Sequence, residues 1–108
     1  NVIRLWELIM GSLRTERLIT KFVLKFPGDP SFSQLQSTLE EKNVEEAFRA
    51  AHTLKGVAQN LGFTPLYEAT ATLTVVLRAG NLPEDDNMMN AVAKEYERTV
   101  AAIEQLNA

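Results

Sequence analysis

The chain has 108 residues, enough for one domain with a modest core, and its 45% hydrophobic and 23% charged residues are those of an ordinary globular protein. It has no cysteine, which excludes a disulfide frame and a thiolate metal site and fits a cytoplasmic location. A net charge of −3, from eleven Lys and Arg against fourteen Asp and Glu, argues against a nucleic-acid binder, and no apolar run approaches the ~20 residues of a membrane span.

The first ten residues, NVIRLWELIM, carry one basic residue and an internal Glu7, a pattern unlike a signal peptide. The missing initiator Met is what a domain excised from a longer protein would show. A short helix is predicted over Val2 to Met10, closed by Gly11. A second runs from Ser12 to Phe26, where Leu13, Leu18, Ile19, Phe22, Val23 and Phe26 recur at helical spacing, and Pro27-Gly28 end it. Arg14, Arg17, Lys21 and Lys25 gather along this segment, but Glu16 interrupts them, so they read as a solvated face.

Asp29-Pro30 opens a third helix. Asp caps free amides, and Pro fits the first turn, where its missing N–H costs nothing. Leu35 and Leu39 mark its inner face. Asn43 opens a fourth, with Glu46 three residues on as in a capping box, and this helix runs to Leu61 before Gly62 stops it. Thr64-Pro65 repeats the cap-then-proline start for a fifth, carrying Leu66, Ala69, Leu73, Val76 and Leu77 and ending at Gly80. After a loop over Asn81 to Pro83, a sixth holds the seam Met88, Met89, Val92, Tyr96, Val100, Ile103 and Leu106. No strand is predicted. The short connections favour antiparallel neighbours, so the expected fold is all-α: an up-and-down antiparallel four-helix bundle with an additional short N-terminal helix, in a single domain over 1–108.

The one histidine lies on the helix that starts at Asn43. At about 100° per residue, Val44, Ala47, Ala51, Leu54, Ala58 and Leu61 cluster within about 100° of arc and form the buried stripe. His52 falls about 130° from its middle and should face solvent. Phe48, Lys55, Gly56 and Gln59 share its side. Gly56 in mid-helix costs about 1 kcal/mol relative to Ala, and close approach of another surface is the usual compensation. Lys55, three residues on, can reach an anion on the ring. Phe48 is either core or contact surface. A neutral imidazole is a good nucleophile near pH 7. An exposed ring can therefore attack a phosphoryl donor held by another protein, with Lys55 partly neutralising the product and Gln59 donating a hydrogen bond to a phosphoryl oxygen. Nothing nearby supplies a metal site, a general base or a nucleotide cradle, so no cofactor is expected and the remaining parts of phosphoryl transfer must come from the partner.

The segment Ala51-His52-Thr53-Leu54-Lys55-Gly56-Val57-Ala58-Gln59-Asn60-Leu61-Gly62 closely resembles the signature of histidine-containing phosphotransfer domains, in which His, Leu-Lys-Gly and a later Leu-Gly recur at this spacing. The resemblance extends upstream and through the helix ending Leu77-Arg78-Ala79-Gly80. It implies that His52 is the phosphorylated residue, normally on Nε2. It implies that Lys55 and Gln59 steady the phosphoryl group and that Gly56 leaves room for the partner, with Phe48 beside it as a docking residue. The partner would be a receiver domain of a response regulator or of a hybrid sensor kinase, whose Asp and Mg²⁺ perform the chemistry. The carrier itself would be no enzyme, and a monomer, since the strip around His52 must stay accessible. One departure stands out: family members often have a Glu just after a Leu in the following helix, whereas Leu73 is followed by Thr74-Val75-Val76. That puts the surface charge of the docking site, and partner choice, in doubt.

Three other readings compete. The phosphorylated N-terminal domain of a chemotaxis-type kinase shares the bundle and a similar motif. A helical interaction module without phosphorylation needs only the fold. An enzyme fits poorly, with one His, no Cys and no paired carboxylates. The dimerisation helix of an ordinary sensor kinase fits less well than the carrier, because such helices usually follow the His with an acidic residue and soon a Pro.

Overall fold

A computed structural model describes residues 21–106. The helix expected over Val2 to Met10, the start of the next one, and Arg14 and Arg17 lie outside the described residues. Among the described residues every regular element is helical. Residues 21–25 are α-helical and tighten into a 3-10 turn at Phe26–Gly28, where Pro27 and Gly28 were expected to end the helix. Four helices follow: α1 (Ser31–Glu40), α2 (Val44–Asn60), α3 (Thr64–Arg78) and α4 (Asn87–Leu106). The connections reverse the chain, and α2 packs between α1 and α3, with α4 closing against α3.

The helix ends show why the chain turns where it does. The Asp29 carboxylate accepts from the Ser31 N–H at 2.8 Å and caps α1, with Pro30 in the first turn as expected. Three helices then end in the same way. The second residue past the helix sits in the left-handed region, and the next N–H reaches back five residues. Asn43 N–H donates to Thr38 O, Phe63 N–H to Ala58 O and Asn81 N–H to Val76 O. The left-handed residues are Lys42 (φ 59°), Gly62 (φ 77°) and Gly80 (φ 85°). Glycine adopts that conformation freely, whereas a side chain is strained there by about 1–2 kcal/mol. Lys42→Gly should therefore stabilise the protein by about 0.5–1 kcal/mol after the added entropy of the unfolded chain is deducted. A thermal melt would register this as a rise of a few degrees. An unchanged or lower melting temperature would mean that the Lys42 side chain makes compensating contacts.

Two starts differ from expectation. Asn43 does cap α2, its side chain accepting from the Glu46 N–H at 3.2 Å. The reciprocal half of the capping box does not form. The Asn43 N–H is already donated to Thr38 O, and the Glu46 carboxylate pairs with Arg49 at 3.1 Å instead. The Thr64 hydroxyl caps nothing: α3 starts one residue earlier, with buried Phe63 at the cap and Pro65 in the first turn. The loop before α4 is longer than Asn81 to Pro83. It runs to Asp86, where the Asp85 carboxylate accepts from the Asn87 N–H at 2.9 Å.

The core is built from Leu35, Leu54, Phe63, Leu66, Leu73, Leu77, Val92 and Ile103, all but sealed from solvent. Ala47, Ala50, Ala51 and Ala58 on α2 are buried too, so small side chains line the face of α2 that meets its neighbours. Burying each large aliphatic side chain contributes roughly 1.5–3 kcal/mol. Thr70, Thr74 and Thr99 share the interior, each hydroxyl donating to the carbonyl four residues back at 2.7 Å. That local bond is what lets a polar side chain occupy a core position. Phe22 was expected on the apolar face of its helix but is 60% exposed, while Val23 and Phe26 take the inward positions. Val44, Leu39 and Val76 are half-buried. At one end an aromatic cluster ties the segments together. Phe26 meets Phe63 edge-on at 5.1 Å and Tyr96 at 5.6 Å, and Tyr96 stacks on Phe32 at 4.0 Å. Burial, and secondarily the Asp29 carboxylate, raise the Tyr96 phenol above its ordinary value, keeping the hydroxyl protonated.

Candidate functional site

The site is the solvent face of α2. The buried stripe of Ala47, Ala51, Leu54 and Ala58 takes the inward side, joined by Ala50. Helical phase then carries His52 outward, and it is exposed. Phe48, Lys55 and Gly56 are half-buried along the same side, and Gln59 is exposed. The sequence-predicted strip is thus brought onto one surface.

Within it the side chains lean toward the N-terminus of the helix, as helical side chains do. The His52 ring accordingly lies over Phe48, centroids 5.9 Å apart and planes 29° from parallel. The same lean carries Lys55 toward His52. The rise of 1.5 Å per residue sets Lys55 about 4.5 Å and Gln59 about 10 Å along the axis from His52. Lys55 is therefore the nearer of the two polar groups, and Gln59 leans over Gly56. Lys55 forms no ion pair among the described residues, whereas Arg49, one turn before Thr53, is tied to Glu45 and Glu46 at 3.1 Å each. The Thr53 hydroxyl donates to Arg49 O at 2.9 Å and is spent on the backbone.

Gly56 has an open front. A Cβ built there meets nothing within 4 Å among the described residues. No described helix crosses closely at this point, so helix packing does not account for the glycine. What an approaching surface would find is bare backbone one turn beyond His52.

The neighbouring helix adds two residues that sequence reasoning missed as site members. The Arg78 guanidinium lies over the Phe48 ring, 5.8 Å from its centre. Because α2 and α3 run antiparallel, one turn on along α2 from Phe48 and one turn back along α3 from Arg78 brings His52 level with Thr74 and Val75. Val75 is 68% exposed, an unusual apolar display. Thr74, by contrast, is buried, its hydroxyl bonded to Thr70 O. The departure at Leu73-Thr74 was expected to alter surface charge. Its first residue instead lies in the interior, because Thr70 and Thr74 continue the inward stripe of Leu66, Leu73 and Leu77. The periodicity carried that signal, since Thr74 stands four residues from Thr70 and three before Leu77.

Among the described residues no three His, Cys, Asp or Glu side chains gather as a metal site, and no helix is long and apolar enough to cross a membrane. The arrangement offers one exposed nucleophilic imidazole, a nearby cation and an open approach. A model of the Hpt domain family matches residues 28–105, from the 3-10 turn into the last helix. Neither a search of curated proteins nor one of solved structures returns a match.

Proposed function

Because the chain belongs to the Hpt domain family, we propose that it accepts a phosphoryl group on His52 from the aspartate of one receiver domain and passes it to another. Family membership makes the chain a histidine phosphotransfer module of phosphorelays, a carrier that works with receiver domains. His52 is the only histidine in the sequence and lies in the solvent face, the observation that carries the assignment. In the forward step the Nε2 lone pair attacks phosphorus. The P–N bond forms as the aspartyl O–P bond breaks, the carboxylate leaves with the electron pair, and the Nδ1 proton stays on the ring. Mg²⁺ and the carboxylates that hold it belong to the receiver. Lys55 offsets the charge of the phosphoryl group, Gln59 offers its amide across Gly56, and Phe48, Gly56 and Val75 form the surface on which the receiver docks. The carrier works as a monomer in the cytoplasm.

The test is incubation with a receiver domain phosphorylated on its aspartate, in the presence of Mg²⁺. The expected product is acid-labile, alkali-stable phosphate on this chain, and its absence would leave a helical interaction module. Lys55→Gln should move the equilibrium between phosphorylated receiver and phosphorylated chain about two- to fivefold toward the receiver, since an exposed ion pair is worth up to about 1 kcal/mol. An unchanged equilibrium constant would remove Lys55 from the phosphoryl site. The equilibrium constant is the right readout because it depends only on the free species. A residue that touches only the partner changes both rates and leaves their ratio alone.

A further inference from the structure

We propose that Arg78, on the helix beside the one that carries His52, is a second cation for the phosphoryl group, and that Phe48 is the positioning residue that holds it there. The inference rests on His52 being the phosphoacceptor. Its ground is a three-part stack across two helices. The guanidinium lies 5.8 Å from the centre of the Phe48 ring, and the His52 imidazole lies 5.9 Å from the same centre. One aromatic ring thus carries both the nucleophile and a fixed positive charge.

The other cation on this flank is otherwise engaged, since Arg49 is paired with two carboxylates of its own helix. Arg78 forms no ion pair among the described residues. Its planar, weakly hydrated guanidinium suits both an aromatic face and a phosphate, which it meets with paired N–H donors. Phe48 is half-buried against the core and so gives the guanidinium a rigid seat. A free arginine would lose rotamer entropy on meeting the phosphoryl group, and a seated one loses less. Lys55 approaches from the C-terminal side of His52 and Arg78 from the adjacent helix, so the two cations flank the phosphoryl group.

Arg78 also stands in the last turn of α3, where any cation favours the helix dipole. That role affects stability and leaves the phosphorylation equilibrium untouched. A docking role for Arg78 would alter transfer rates in both directions, again with no change in the equilibrium. The experiment measures the equilibrium constant for transfer from a phosphorylated receiver domain to the chain, for wild type, Arg78→Gln, Phe48→Leu and the double variant, with thermal melts alongside. Phe48→Leu keeps the apolar bulk, so the fold survives while the ring is lost. Arg78→Gln should shift the equilibrium about two- to fivefold toward the phosphorylated receiver. Phe48→Leu should reproduce that shift, and the double variant should add nothing further, because either change releases the same guanidinium. An unchanged equilibrium in Arg78→Gln overturns the proposal, even if transfer slows or the melting point falls. A shift in Arg78→Gln that Phe48→Leu does not share overturns the seat. Failure of the His52 assignment looks different: the wild-type chain would then take up no phosphate, or His52→Gln would still take it up.

Discussion

His52→Gln should abolish phosphate acceptance while leaving the fold intact. The chain has one histidine and no cysteine, so no second imidazole or thiolate can take over as acceptor. Glutamine matches the length of the side chain and its capacity for hydrogen bonds, but its amide nitrogen is no nucleophile. His52 is exposed, and the ring contact given up is the offset stack on Phe48. Glutamine is also the better helix former, which offsets part of that loss. The melting midpoint should therefore correspond to a change below about 0.5 kcal/mol. The measurement is acid-labile label on the variant after exposure to a phosphorylated receiver, with a thermal melt of the same sample. Acid-labile, alkali-stable phosphate retained by the variant would refute the assignment. Loss of label together with unfolding would point instead to a structural role for the ring.

The position of His52 was legible because it depends on one helix alone. The small and aliphatic stripe on α2 fixes its inward face, and a ring about 130° away has nowhere to go but outward. The turns at Gly62 and Gly80 were legible for the same reason, since a left-handed residue after a helix is a local demand that glycine meets. Lys42 makes the same turn without glycine and carried no such signal. Thr70, Thr74 and Thr99 were passed over as core because their hydroxyls read as polar. Each is satisfied by the carbonyl one turn back, a bond that composition does not reveal. The seating of Arg78 on Phe48 depends on the register between two helices, which no single-helix periodicity contains. For that reason the sequence located the nucleophile and Lys55, and the structure had to supply Arg78 and Val75.

Gly56→Arg should leave the melting point near that of the native protein and slow phosphotransfer at least about tenfold, equivalent to about 1.4 kcal/mol of lost transition-state stabilisation. Both halves follow from the open front of Gly56. Glycine in a helix interior costs about 1 kcal/mol relative to Ala, and arginine is nearly as good a helix former as Ala. A Cβ at this position meets nothing within 4 Å among the described residues, so steric strain does not cancel the gain. Gly56→Ala, the smaller control, should raise stability by up to about 1 kcal/mol and transfer nearly as well as wild type. The arginine instead fills the space one turn beyond His52, through which the receiver must bring its aspartyl phosphate into contact with the ring. Its charge would favour the phosphoryl group, so a slower reaction would arise from obstruction and against the electrostatics. If the glycine serves helix packing, the forecast reverses: Gly56→Arg would lower the melting point by many degrees, and Gly56→Ala would lower it too. Transfer at the native rate from a well-folded Gly56→Arg would place the receiver elsewhere on the bundle.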